Sequence, residues 1–168
     1  MGKPLIQQRR GKGSAAFRAM TFKSRAEVKL PQNAGEATVL DLTTSTHHSA
    51  PLMEVQFADG NKAYLIAPEG VKVGEKINTG NMEPGSWFSL KDLPEGSIVY
   101  NVEAAPGDGG KFARGSGASA RVLTQMKNKV IVLLPSKKKK TFHPECRATL
   151  GTVAGGGRLE KPLMKAGI

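Results

Sequence analysis

Three histidines and one cysteine are the residues of this 168-residue sequence whose chemistry could bind a soft metal or attack a substrate. They are His47, His48, His143 and Cys146. Zinc sites are typically built from paired ligands such as Cys-x-x-Cys, and no such pair occurs here. A cysteine nucleophile needs a base and a third group that orients the base, and only His143 stands near Cys146. The spacing therefore predicts no metal site and no catalytic residue, and a small core thiol is the simpler interpretation of Cys146.

Two glycine-rich stretches look like nucleotide-binding loops but depart from them at decisive positions. A phosphate loop ending at Lys111 would need glycine at position 105 and a hydroxyl residue at 112, where Ala105 and Phe112 stand. Residues 115–120 match a relaxed dinucleotide fingerprint, but no helix signal follows, and lysines occupy 137–140 where an acid is required. We therefore predict no cofactor and no small-molecule substrate.

Glycine clusters beside cations in the last third of the sequence suit contact with a phosphate backbone. Glycine lets a ligand approach the main chain closely, and consecutive N–H groups can form an anion-binding nest. Turn formation would explain either cluster alone, but two clusters with adjacent cations favour binding. The candidates are Gly109, Gly110, Lys111, Arg114, Gly155, Gly156, Gly157, Arg158 and Lys161, to which Arg147 and Lys165 are added. The lysine run at 137–140 fits phosphate contact and a solvated hairpin tip equally well.

Charge is segregated along the chain, which carries a formal net charge of +11. Residues 1–30 have a net charge of +7, residues 31–105 of −6 and residues 106–168 of +10. Two cationic ends around an acidic middle indicate a polyanion held by the ends, and nucleic acid is the commonest such partner. The candidate contacts in the N-terminal part are Arg9, Arg10, Lys12, Arg18, Lys23 and Arg25.

The elements that must position these residues are short strands. Glycine (20 residues) and proline (10) are frequent, and we find no convincing amphipathic helix. Residues 1–34 lack a sustained period and predict an extended basic arm that orders on a partner, with a disordered, solvated tail as the alternative. Residues 35–95 contain short strand-like segments separated by turn signals, including Asp59-Gly60, and predict a small five-stranded barrel. Residues 96–160, with the apolar run 129–134, predict a second barrel, and residues 161–168 begin a basic extension.

Several classes of protein are excluded by composition. A single cysteine rules out an internal disulfide and suits a reducing compartment. No apolar run reaches the roughly 18 residues of a membrane span, so we expect no membrane partner. The Met-Gly-Lys-Pro start has no apolar region typical of a secretory signal.

Long ordered motifs carry a resemblance that covers nearly the whole chain. They are residues 2–11 (GKPLIQQRRG), 49–51 (SAP), 65–70 (LIAPEG), 98–103 (IVYNVE), 106–111 (PGDGGK), 146–158 (CRATLGTVAGGGR), 161–162 (KP) and 165–167 (KAG). The sequence resembles the family of the second protein of the large ribosomal subunit, in its archaeal and eukaryotic branch.

This resemblance implies an oligonucleotide-binding-type barrel followed by an SH3-like barrel, with basic extensions that enter large-subunit rRNA. It implies a structural, non-enzymatic role in subunit association and in supporting the peptidyl-transferase region, with neighbouring ribosomal proteins as partners and a cytoplasmic location on the large ribosomal subunit. The alternatives from other classes are a transient RNA-binding translation factor and an RNA-processing enzyme on a barrel scaffold.

The sequence departs from the family pattern in two places. Residues 43–48 (TTSTHH) stand where the family has an Asp-Pro-x-Arg-type loop, so that His47 and His48 occupy the region of an expected arginine contact. The family also continues past residue 167 into a long basic extension, whereas this sequence ends at Ile168. Nothing about the residues of that extension is carried over.

Overall fold

Short antiparallel strands build most of the chain, which confirms the expected all-β class. The computed structural model describes residues 2–3, 5–17, 24–32, 35–78, 81–162 and 164. Within these ranges the chain forms two antiparallel sheets, and its one α-helix is six residues long. No helix in the described ranges is long and apolar enough to cross a membrane.

The first sheet has four strands, which are β1 (Glu36–Thr43), β2 (Leu52–Phe57), β3 (Lys62–Ile66) and β4 (Lys76–Asn78). Their spatial order is β3-β2-β1-β4. The predicted hairpin is the β2–β3 connection, where the Gly60 N–H donates to the Phe57 carbonyl at 2.9 Å. Gly60 has a φ of +80°, which glycine adopts without steric strain. The Asp-Gly signal therefore placed this turn correctly.

The second sheet has six strands in the order β5-β10-β6-β7-β8-β9. They are β5 (Trp87–Ser89), β6 (Ile98–Tyr100), β7 (Ala120–Met126), β8 (Lys129–Leu133), β9 (Lys139–Phe142) and β10 (Arg147–Leu150). The apolar run predicted as the strongest strand is β8, and the lysine run continues from the turn into the edge strand β9. Edge lysines hinder pairing with other chains, so part of this run has a structural explanation.

Strand β5 connects the two parts of the chain differently from the sequence prediction. Trp87–Ser89 pairs with β10 of the second sheet, and the side chains of Leu90 and Leu93 lie in that sheet's core. The first sheet therefore has four strands where five were expected. The domain limits at 95 and 96 remain a prediction, and this pairing favours a division before Trp87.

A shared apolar cluster joins the two sheets. Tyr100 of β6 packs with Leu52 and Ile66 of the first sheet and with Val153. The Tyr100 hydroxyl donates to the Ile66 carbonyl at 3.1 Å, and burial raises the pKa of Tyr100. This contact satisfies the one polar atom of a large buried ring, so the two sheets are fixed against each other by packing and by a hydrogen bond.

The N-terminal part differs from the predicted extended arm in two ways. Residues 6–11 form a short helix, α1 (Ile6–Gly11), with every side chain exposed. Farther along, Val28 and Leu30 are buried, with 3% and 4% of their surface exposed. Val28 belongs to the cluster between the sheets and Leu30 to the core of the first sheet. Residues 24–32 are thus part of the fold, whereas residues 5–17 lie on its surface.

Candidate nucleic-acid interface

The glycine-rich loop at 104–111 is organised around one buried carboxylate, Glu103. Its side chain is fully buried and accepts five N–H groups. Gly107 donates to Oε2 at 3.2 Å and Gly109 to Oε1 at 3.1 Å. Arg147 supplies the other three, through its main-chain N–H (2.8 Å), Nε (3.1 Å) and Nη2 (2.6 Å). The carboxylate therefore holds the loop against β10.

Burial acts on the pKa of Glu103 in one direction and its partners act in the other. Desolvation raises this pKa, but the Arg147 guanidinium and the N–H groups of Arg147, Gly107 and Gly109 favour the charged form. The net effect is a Glu103 pKa below its usual value. The side chain is thus a permanent internal anion at neutral pH.

Carboxylates of the protein accept the main-chain N–H groups of Gly109 and Gly110, which the sequence analysis proposed as contacts for RNA. The N–H groups of Gly107 and Gly109 point to Glu103, and the Gly110 N–H donates to Asp108 Oδ1 at 3.1 Å. A main-chain nest for an external phosphate is therefore already filled in this loop. Lys111, whose side chain makes no ion pair within the described part of the chain, remains as an outward cation.

Arg114 and Arg147 hold the N-terminal segment in place. Arg114 donates to the carbonyls of Gly110 (2.7 Å) and Val28 (3.0 Å), and Arg147 also donates to the carbonyl of Pro31. The Leu30 N–H donates to the Gly109 carbonyl at 3.0 Å. Burial lowers the pKa of the Arg114 guanidinium. Both arginines thus have strong internal partners, which a sequence pattern of basic residues does not reveal.

The second glycine cluster, Gly155, Gly156 and Gly157, has the opposite arrangement. All three residues are exposed, and none of their N–H groups donates to another described residue. Gly157 has a φ of +74° and precedes a 3-10 turn at Arg158–Glu160. Within the described ranges these three N–H groups have no acceptor, so they are donors that an anion beside the exposed Arg158 could use. This cluster fits the predicted phosphate contact better than the first one.

Other predicted cations lie at the surface. The side chains of Arg9, Arg10, Lys12 and Arg25 are exposed, as are those of Arg158 and Lys161. Within the described ranges, none of them forms an ion pair. Lys140 is different, because its Nζ lies 4.0 Å from the centre of the Phe112 ring. Arg18, Lys23 and Lys165 are outside the described residues.

A cavity that the sequence did not indicate lies where three segments meet. It has a volume of about 640 Å³. Its walls come from the N-terminal segment (Ser24 and residues 26–29), from His47 and His48, and from the glycine-rich loop with the following Arg114 (Asp108, Gly110, Lys111, Arg114). The His48 Nδ1 lies 3.2 Å from the buried Ser45 Oγ, and His47 is exposed. Desolvation and the charges of Arg114 and His47 lower the pKa of His48.

In the part of the chain that the structure describes, Cys146 and His143 do not form a metal site or an activated nucleophile. Cys146 is buried, and burial raises the pKa of its thiol, which disfavours a reactive thiolate. His143 Nδ1 accepts the Glu145 main-chain N–H at 3.3 Å. Among the residues that the structure describes, no three His, Cys, Asp or Glu side chains are grouped to hold a metal ion.

Comparison with known proteins accounts for both parts of the chain. Residues 2–79 match the family model described as Ribosomal Proteins L2, RNA binding N-terminal domain, and residues 83–168 match Ribosomal Proteins L2, C-terminal domain. Similar proteins are named large ribosomal subunit protein uL2. The one from Natronomonas pharaonis is 47% identical, covering 99% of this chain and 72% of the relative. Those from Haloarcula marismortui and Methanococcus vannielii are each 44% identical over 99% of this chain, covering 72% and 75% of the relatives.

Proposed function

Because the chain belongs to the ribosomal protein L2 family, we propose that its two cationic ends hold large-subunit rRNA around a rigid two-sheet body. The protein is a structural constituent of the large ribosomal subunit, not an enzyme, and its partners are rRNA and neighbouring ribosomal proteins. The observation that carries this function is 47% identity with a uL2 protein over 99% of this chain. Its location is accordingly the cytoplasmic large subunit.

The proposed RNA-binding surface combines α1 with the second glycine cluster. Arg9, Arg10 and Lys12 extend from the body on an exposed segment, and Arg158 and Lys161 flank the open N–H groups of the cluster. Cations on phosphates supply most of the sequence-independent affinity for nucleic acid. Lys111 and Arg25 add to this surface, and Arg18, Lys23 and Lys165 are proposed as further contacts from the sequence alone.

Two candidate residues act on RNA indirectly in this proposal. Arg114 and Arg147 donate to the carbonyls of Val28 and Pro31. The carbonyls of Gly109 and Gly110 accept the Leu30 N–H and the Arg114 guanidinium. Their contribution is to position Lys111 and the N-terminal segment. Support of subunit association and of the peptidyl-transferase region, as the family resemblance implies, is proposed for the assembled particle.

Sucrose-gradient fractionation separates this function from that of a transient translation factor. The tagged chain is expressed in cells, and fractions are washed in about 0.5 M salt, where the Debye length falls to about 4 Å. We expect one copy per large subunit in free subunits, whole ribosomes and polysomes. Release by the wash, or occupancy limited to one functional state, would identify a transient factor.

A further inference from the structure

The cavity between the N-terminal segment, residues 43–48 and the glycine-rich loop contains charges of both signs. Lys29, Lys111 and Arg114 supply three cations, and Glu27 and Asp108 supply two carboxylates. The local formal charge is therefore +1 when the histidines of the cavity are neutral. A cavity of this size and weak positive charge admits a phosphate group but holds it loosely.

Both carboxylates are already engaged by the protein. Glu27 pairs with Lys29 at 2.8 Å, and Asp108 accepts the N–H groups of Ala104, Ala105 and Gly110. Arg114 is likewise committed to the Val28 and Gly110 carbonyls. The charges that face the cavity are thus held by internal contacts, and Lys111 is the cation among them whose side chain has neither an ion pair nor a hydrogen bond within the described ranges.

Imidazole is the side chain whose ordinary charge change falls nearest neutral pH, and two histidines line the cavity. Both line the cavity, His48 beside Ser45 and Arg114, and His47 toward solvent. Ser45 also accepts the Arg25 main-chain N–H at 3.4 Å, which keeps this turn close to the N-terminal segment. Protonation of both rings would raise the local formal charge from +1 to +3. An anion that enters the cavity would favour that protonation.

We propose that this cavity is a phosphate subsite of the rRNA-binding surface, and that His47 and His48 take up protons when RNA binds. The proposal rests on rRNA binding as the function of the chain. It gives a role to His47 and His48, which stand in the region where the family has an arginine contact. The consequence is that the affinity for rRNA rises as the pH falls from 8 to 6, whereas a contact made by lysine and arginine alone would not change over this range.

The test measures affinity of the full chain for an in-vitro transcript of large-subunit rRNA at pH 6, 7 and 8 and constant ionic strength. Each histidine whose pKa rises by one unit on binding changes the affinity by up to about tenfold. We expect the unmodified chain to bind roughly threefold to tenfold more tightly at pH 6 than at pH 8. A variant with His47→Gln and His48→Gln should bind equally at both pH values.

Two further variants make the result specific. His143→Gln removes the third histidine, which is outside the cavity, and should leave the pH dependence intact. His48→Arg fixes one positive charge and should bind tightly at pH 8 with a weaker pH dependence. It also tests the proposal independently if the double glutamine variant unfolds, which thermal unfolding would reveal.

The outcomes separate this inference from the proposed function. Tight binding that does not change with pH, or a pH dependence that survives in the double variant or is lost in His143→Gln, would overturn the histidine proposal while rRNA binding stands. Absence of binding by the unmodified chain at every pH would overturn the proposed function and this inference together.

Discussion

Glu103 is the residue on which the glycine-rich loop, β10 and the N-terminal segment converge. Its five N–H partners come from residues 4 to 44 positions away in the sequence. The motif Pro106-Gly107-Asp108-Gly109-Gly110-Lys111 looks like a surface for phosphate when it is seen alone. The structure shows that a neighbouring carboxylate fills this role from inside the protein, so the loop is an anion-binding nest with its own anion.

Replacement of Glu103 should therefore unfold the protein readily. Glu103→Gln leaves the partly buried Arg147 without its counter-ion, and loss of one partner of a buried pair costs about 3–5 kcal/mol. Urea denaturation measures this change. Glu36→Gln is the control, because Glu36 pairs with Lys76 at 2.8 Å on an exposed surface, where an ion pair adds little to stability. Equal losses in the two variants would contradict the central role of Glu103.

The contribution of Glu103 should also be visible in the dependence of stability on pH. Because the Glu103 pKa is lowered in the folded state, its stabilisation is fully present above the usual value of 4.5 and is lost as the pH falls through the folded pKa. The unmodified chain should lose stability more steeply than Glu103→Gln below about pH 4.5. Urea midpoints between pH 7 and pH 3 measure both slopes, and parallel slopes would assign the acid sensitivity to other carboxylates.

Gly110 is required by the fold, whereas Gly156 is proposed to face the RNA. Gly110 has a φ of +95°, and a Cβ there would overlap the Asn101 side chain and lie 2.8 Å from its carbonyl oxygen. A Cβ at Gly156 would meet only the Gly117 Cα, at an ordinary 3.7 Å. Gly110→Ala should therefore destabilise the fold by at least about 1–3 kcal/mol. Gly156→Ala should fold normally, within about 0.5 kcal/mol.

The RNA affinities of these two variants should follow the reverse order when they are compared as folded proteins. Loss of one main-chain contact worth about 1 kcal/mol at Gly156 reduces the affinity by about fivefold. Thermal unfolding and filter binding together measure both properties. Unchanged RNA binding in Gly156→Ala would remove the second glycine cluster from the proposed interface.

At the scale of elements, the N-terminal part consists of two functionally different pieces. Every side chain that the structure describes in residues 2–3 and 5–17 is exposed, so deletion of residues 1–17 should change the stability by at most about 0.5 kcal/mol. Deletion of residues 1–30 also removes the buried Val28 and Leu30, each worth about 1.5–3 kcal/mol, and one acceptor of Arg114. This longer deletion should lower the stability by about 3 kcal/mol or more.

Calorimetry and rRNA binding on the two deletions check this division. Both should bind rRNA more weakly, because both lose Lys3, Arg9, Arg10 and Lys12. The shorter deletion should do so with an unchanged unfolding temperature. If the chain stays folded and stable after the longer deletion, the result would support the prediction that residues 1–34 are an extended arm outside the fold.

The local patterns predicted strands well where alternation and turn chemistry coincide, as in the β2–β3 hairpin around Gly60 and in β8. They failed where the partner is distant in sequence. Val28 and Leu30 occupy a short stretch without a sustained period. Apolar residues of the two sheets bury their side chains, and their main-chain hydrogen-bond partners lie about 80 positions later. The barrel predicted for residues 35–95 likewise includes Trp87–Ser89, although the partner of this strand is β10 of the second sheet. Long-range pairing of this kind leaves no local signal.

The same reasoning applies to the candidate site. A list of cations and glycines identified the basic regions, but residue type does not show whether a guanidinium has an internal acceptor. Arg114 and Arg158 are both arginines beside glycines, yet the first is held by two carbonyls and the second is exposed. Glu103 did have a signal, since a single acid follows the buried Val102 and precedes the glycine-rich loop.

For the whole molecule, rRNA affinity should depend more on where the positive charges lie than on the net charge. The logarithm of rRNA affinity should fall linearly with the logarithm of salt concentration, with a slope of several units. The variant with Arg9→Gln and Arg10→Gln should reduce the slope magnitude by about 1.5 units. The variant with Lys72→Gln and Lys91→Gln removes the same charge from the exposed acidic middle and should leave the slope nearly unchanged.

A salt titration of both double variants at one pH measures this difference. Equal reductions of the slope would show that the chain acts as an undirected polycation, and the segregation of its charge would then have no role in binding.

The contact of Arg147 with Pro31 also determines when the protein can finish folding during its synthesis. The two residues are 116 positions apart, and at about 5–20 residues per second the later one is made roughly 6–23 s after the earlier one. Until Gly109 and Arg114 are made, the Leu30 N–H and the Val28 carbonyl lack the partners that they have in the folded protein. The basic N-terminus is therefore available to a polyanion before the body exists, and an early-binding chaperone or RNA would meet these residues first.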